Sequence, residues 1–251
     1  MNKEIYNKYI IRLADDALIL GQRLSEWCGH GPILEEDIAL ANISLDYIGQ
    51  ATNLFKQASV ADELGRDEDA LALARMESEY NNALLLELPN GDYAFTIARQ
   101  YYYTSFYLLF LERLKQSSDS FLAGFAEKSI KEVRYHVQHA GDWMLRMGDG
   151  TEESHTRIQE ALHQLWPYLG ELFEMDDVER ATVEEGYGVD RSLLLDEWKM
   201  KLSDLLSEAT LTLPESAWHH TGGRHGRHTE QMGFLLAEMQ FLQRAYPGAK
   251  W

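Results

Sequence analysis

The sequence predicts an all-α protein: two hairpins of long helices joined by a long crossover, with additional helices behind them. Apolar residues recur at alternating spacings of three and four, and capping residues and Pro/Gly stops bracket the periodic runs. Period-two alternation, the mark of a strand, appears only in ATLTLP at 209–214. In the first run, Ile10, Leu13, Ala17, Leu20, Leu24 and Trp27 share one face, and GHGP at 29–32 ends it. The second starts near Glu35 with the same rhythm at Ile38, Ala41, Leu45, Ile48, Thr52 and Phe55, and the short link makes the two antiparallel neighbours. The crossover contains a shorter helix capped by Asp67 and stops at Pro89-Asn90-Gly91. A third long helix, about 92–115, carries the aromatic stripe Tyr93, Phe95, Tyr101, Tyr102, Tyr103, Phe106, Tyr107 and Phe110, read as core packing. Asp119 caps the fourth, which Ala126, Ile130, Val133, Val137, Ala140 and Met144 carry to GDGT at 148–151. Further helices are expected at about 152–173, interrupted at Pro167, at about 191–207 and at about 230–246. The whole reads as one domain, 1–251, with a bundle core at about 4–148 and an additional helical part at about 151–251.

Charge and cysteine usage narrow the function. Lys plus Arg number 23 against 41 Asp plus Glu, a formal charge of -18, which repels phosphate backbones and anionic lipid and argues against general nucleic-acid or membrane binding. The single cysteine, Cys28, allows no internal disulfide and is expected to be a small packed residue in a reducing compartment. Neither a signal-peptide core nor a run of about 20 apolar residues is present, so a soluble cytoplasmic protein is expected.

One stretch suggests chemistry. KEVRYHVQHA, 131–140, places Glu132, His136 and His139 on a helix, and two helical hairpins with a long crossover form the ferritin-like layout. Its di-iron sites take a Glu from each of two helices and a Glu-x-x-His from each of the other two. On the second helix the candidate carboxylate is Asp46, but Gly49 stands three residues later; on the fourth it is Glu132, but Tyr135 stands where the imidazole belongs. Upstream, Asp15 and Asp16 supply a first-helix acid, whereas the matching third-helix stretch is Tyr101-Tyr102-Tyr103. Too few ligands remain for two irons, so no metal, cofactor or catalytic residue is assigned to this chain. Lys131, Arg134 and the histidines are expected to pair with the remaining carboxylates, the rival being a single metal on Glu132 and His136.

The second polar cluster is HHTGGRHGRHTE, 219–230. Gly222 and Gly223 allow close backbone approach, and Arg224, Arg227 and His228 supply donors, so the loop reads either as an anion or partner site or as an exposed connector capped by Thr229.

The segments LSEWCGHGPILEEDIALANISLDYIGQA, LPNGDYAFTIARQYY, IKEVRYHVQHAGDWMLRMGDGT, ALHQLWPYLGELF and TGGRHGRHTEQMGFLLAEMQFLQRAYPGAKW span nearly the whole chain. Together they resemble the non-catalytic, PaaC-type subunits of bacterial phenylacetyl-CoA 1,2-epoxidases. The resemblance implies a ferritin-like structural subunit of an oxygenase complex in aerobic phenylacetate degradation. It would pair with a homologous catalytic subunit that holds the di-iron centre, while a reductase with flavin and iron–sulfur groups delivers electrons from NADPH. Contact with the CoA thioester is a further expectation. Two other classes compete with this reading: a self-sufficient ferritin-like metal oxidase, which would bind stoichiometric iron, and a stand-alone helical binding protein, which would have no affinity for an oxygenase subunit.

Overall fold

The computed structural model describes residues 2–216 and 218–249. Among them the regular structure is helical throughout, with no strand, and the chain forms two compact units, Met1–Pro89 with Thr221–Trp251, and Asn90–His220.

In the first unit, α1 (Lys3–Ser25) and α2 (Leu34–Ser59) form the first hairpin, followed by α3 (Glu68–Leu73) and α4 (Leu84–Glu87) in the crossover. The Ser44 hydroxyl donates to the Gly21 carbonyl at 2.7 Å and the Gln57 amide to the Tyr6 hydroxyl at 3.2 Å, so α1 and α2 run antiparallel. From Arg12 to Gly21 every residue of α1 is buried, the environment of a helix covered on all sides. That burial includes Asp15 and Asp16, which must therefore be paired.

In the second unit, α5 (Tyr93–Leu114) and α6 (Ser120–Gly148) begin where Asp92 and Asp119 accept from the Phe95 and Leu122 N–H groups, the Asp119 cap being the one the sequence predicts. Arg134 meets Glu112 and Gly141 lies beside Tyr101, an antiparallel register. Behind them come α7 (Glu152–Leu165), α8 (Asp177–Glu184) and α9 (Leu195–Glu208). At Pro167 α7 passes into two tight turns, Trp166–Tyr168 and Gly170–Phe173, because proline lacks the N–H that would continue the helix. The core here is aromatic: Phe173 packs on Phe106 and Trp198, each at 5.2 Å between ring centroids.

The last helix, in the first unit, is broken at Gln240 into α10 (Glu230–Met239) and α11 (Phe241–Ala245). The Gln240 side-chain amide donates to the Arg75 carbonyl and the Tyr80 hydroxyl, both at 2.9 Å. The alternating segment 209–214 is irregular rather than a strand: Leu211 and Pro214 are buried, and Thr212 bonds to the Gln159 side chain on α7. Cys28 is exposed, not packed. Among the described residues no helix is long and apolar enough to cross a membrane.

Candidate functional site

The residues expected at the failed iron-ligand positions do not lie on the buried helix faces. Gly49 and Tyr135 are exposed, Asp46 and Glu132 half-buried. One position on, about 100° around each helix, the same three-residue spacing is buried: Tyr47 and Gln50 on α2, Val133 and His136 on α6. The register expected from the sequence is therefore off by one residue. A phenol, an amide, a valine and one imidazole replace two Glu-x-x-His pairs, and α5 buries Gln100, an amide where a carboxylate would be needed. The first-helix acids are engaged by arginines, and among the described residues no three His, Cys, Asp or Glu side chains gather as a metal site would require. These residues do not fit a di-iron centre. Arg134 does not compensate buried charge either; it is an exposed partner of Glu112 at 2.7 Å.

The loop at 222–230 is likewise different from the anion site expected. Arg224 is buried and grips Asp16 with both terminal nitrogens, at 2.9 and 2.7 Å, while donating to the Asn81 carbonyl at 3.0 Å. Its own carbonyl accepts from Arg12 at 3.1 Å. The bidentate guanidinium leaves no fork for an external anion. Gly222 and Gly226 hold φ of 134° and 68°, and a Cβ on Gly226 would collide with the Ser78 carbonyl. These glycines therefore let the loop press onto the crossover rather than onto a ligand. Arg227 is exposed.

His228 completes the clamp. Its Nδ1 lies 2.7 Å from a Glu87 carboxylate oxygen and its Nε2 2.9 Å from the Tyr80 carbonyl. Both neighbours are acceptors, so both ring nitrogens must donate and the imidazole is cationic. Burial opposes that charge, but the Glu87 carboxylate outweighs it and holds the pKa above the ordinary value. Thr229 does not cap α10 with its side chain; its N–H donates to Glu87 at 2.6 Å.

The remaining first-helix acid, Asp15, accepts from both terminal nitrogens of Arg75 and from the Asn81 N–H. Burial pushes the Asp15 carboxyl upward against the pull of Arg75. Burial also works against the Arg75 charge, but Asp15 more than restores it. Thus Asp15, Asp16 and Glu87 tie the crossover and the C-terminal loop to α1. The Gly/Arg composition is visible in the sequence, but its partner Asp16, 208 residues away, is not.

Part of what α2 presents to solvent is apolar. Leu34, Ile38 and Leu45 are 71, 52 and 64% exposed. With half-buried Ala41 and Ile48 and exposed Thr52 they form a stripe spaced four, three, four, three, four, the rhythm of a helix–helix seam. Periodicity alone assigns this stripe to the core. The core face is instead Leu40, Ile43, Ser44, Tyr47, Ala51, Leu54 and Ala58, so α2 carries two apolar faces.

Fold and site define a class: a ferritin-like helical chain whose buried faces do not supply an iron site and whose second helix leaves an apolar stripe exposed. The chain belongs to the phenylacetic acid catabolic protein family, whose model matches residues 2–251. It is 46% identical over 243 residues, 97% of this chain and 98% of the relative, to a 1,2-phenylacetyl-CoA epoxidase subunit of Escherichia coli (strain K12).

Proposed function

We propose that this chain is the structural subunit of a bacterial phenylacetyl-CoA 1,2-epoxidase and that it docks a homologous catalytic subunit along the exposed α2 seam. The observation that carries the reading is that seam, Leu34, Ile38, Ala41, Leu45, Ile48 and Thr52, left apolar on a chain of charge -18. Stable heteromeric interfaces bury roughly 1,200–2,000 Å² or more, and a three-heptad helix face is a natural centre for one. A less acidic homologue suits it better than a second copy, because exposed Glu35 and half-buried Asp46 flank the stripe and self-association would bring like charges together. The relative's name, which makes it one subunit of an epoxidase, agrees.

In this reading the di-iron centre belongs to the catalytic partner. Electrons from NADPH arrive through the flavin and iron–sulfur groups of a reductase, and the complex works in the cytoplasm. This chain contributes apolar burial, which keeps the partner folded and soluble, and it helps shape the approach of the CoA thioester. A self-sufficient metal oxidase is disfavoured by Tyr47, Gln50, Val133 and Gln100 at the buried positions, and a solitary binding protein by the uncovered seam.

The test is co-expression with the catalytic subunit and the double substitution I38D/L45D. Both side chains are exposed, so the isolated chain should keep its helicity and melting temperature while co-purification falls at least about tenfold. An unchanged heteromeric complex would overturn the docking surface, and a homodimer abolished by the same substitutions would show that the seam serves a second copy instead.

A further inference from the structure

The second unit contains a cleft that the subunit reading does not use. It is a cavity of about 330 Å³ beside the turns that follow α7, lined by Trp166, Phe173, Trp198 and Trp218, with Lys199 and the Glu174–His219 pair at its polar edge. Its inner wall is rigid. Trp198 is buried, its indole N–H donates to the Ser105 hydroxyl at 2.9 Å, and its ring stacks on Trp166 at 6.2 Å between centroids.

The outer wall is Trp218, 62% exposed, on the irregular strap that follows α9. The strap that carries it is held in place. The His220 N–H donates to the Pro167 carbonyl at 2.7 Å. The His220 ring lies between Tyr168, stacked at 4.3 Å, and Trp218, edge-on at 4.4 Å. The Trp166 indole donates to the Ser216 carbonyl, and His219 meets Glu174 at 3.0 Å. Trp218 is therefore positioned opposite the buried aromatics by the strap's own hydrogen bonds and ring contacts.

We infer that this cleft binds a small aromatic carboxylate, its ring between Trp218 and the Trp166/Trp198 wall and its carboxylate on the Lys199 ammonium. Size and charge select the class. An engineered cavity of about 150 Å³ accepts benzene, so roughly twice that volume has room for a ring and a short acidic side chain. Tryptophan faces favour flat rings over branched aliphatics. An aromatic cage alone would also suit a cation, but the one carboxylate at the rim, Glu174, already faces His219. Among the described residues no carboxylate pairs with Lys199, so its ammonium is the group at the mouth left to meet an acidic ligand.

This site does not depend on the docking seam, and its test uses the full-length chain alone. Phenylacetate is titrated while tryptophan fluorescence and heat are followed, with acetate and benzylamine as controls for ring and charge. Saturable one-to-one binding of phenylacetate is expected, with neither control binding comparably. W218A should weaken it about tenfold and K199Q about threefold. Both substituted side chains are exposed, and unchanged circular dichroism will establish that the variants fold. No saturable binding at millimolar phenylacetate, the same affinity in either variant, or tighter binding of benzylamine would each overturn the assignment.

Discussion

The two units bury polar groups in different ways. The first places three carboxylates, Asp15, Asp16 and Glu87, in its interior and answers each with a cation, Arg75, Arg224 and His228. The second packs rings, Tyr102, Phe106, Phe110, Phe173 and Trp198, around its buried polar groups: Arg191 lies over the Phe110 ring at 5.1 Å, Arg99 donates to the Asn90 side chain and Trp198 to Ser105. The difference is one of specificity against mass. A ring cluster gains from area and tolerates small adjustments, whereas a buried ion pair rarely adds net stability but penalises any arrangement that leaves one charge alone. In the first unit, segments far apart in the chain are held by pairs that accept only one partner geometry.

Breaking one partner should separate the two designs most sharply. Arg224→Met leaves Asp16 buried, still bonded to the Ala83 N–H but without the guanidinium that neutralises it; a loss of about 3–5 kcal/mol is expected in urea unfolding. The double variant R224M/D16M should recover much of it, because the uncompensated charge is then removed too. Equal losses in the single and double variants would mean that packing, not charge, holds the clamp.

In the second unit, Trp198→Phe keeps an aromatic ring but deletes the indole N–H donated to Ser105. The cost should be about 2 kcal/mol, with no single partner whose removal rescues it. A rescue by Ser105→Ala to wild-type stability would blur the contrast between the units.

The smallest effect expected depends on pH. His228 has a folded pKa above its ordinary 6.5. Its charged pair with Glu87 is therefore complete below that value and is lost as pH rises through the folded pKa. The stability gap between wild type and His228→Asn should be widest at pH 6 and narrow toward pH 9, staying within about 2 kcal/mol. A gap that widens with rising pH would show a neutral imidazole and remove His228 from the set of cations.

These contrasts also explain which features are legible in the sequence. Asp92, Asp119 and Pro89-Asn90-Gly91 act within a few residues of themselves, so the boundaries of α5 and α6 are legible. The face of α2 is not, because Ile38/Leu45 and Leu40/Tyr47 are both apolar stripes and periodicity cannot say which meets the core. The same slip displaces the expected ligand positions from Tyr47 and Gln50 to Asp46 and Gly49. The loop at 222–230 has a composition that suits an anion equally well, and only Asp16 decides that Arg224 is already bound.

By itself, then, the chain's sequence determined its long helices, the caps at Asp67 and Asp119 and the Pro/Gly stops between them, because helix periodicity and capping are local properties of the backbone. Tertiary structure alone decided which side of α2 stays uncovered, which arginine meets which aspartate, and that Trp218 stands across a cleft from Trp198. Those outcomes depend on contacts between residues distant in sequence, where desolvation of each charge and each ring is settled only by what lies against it.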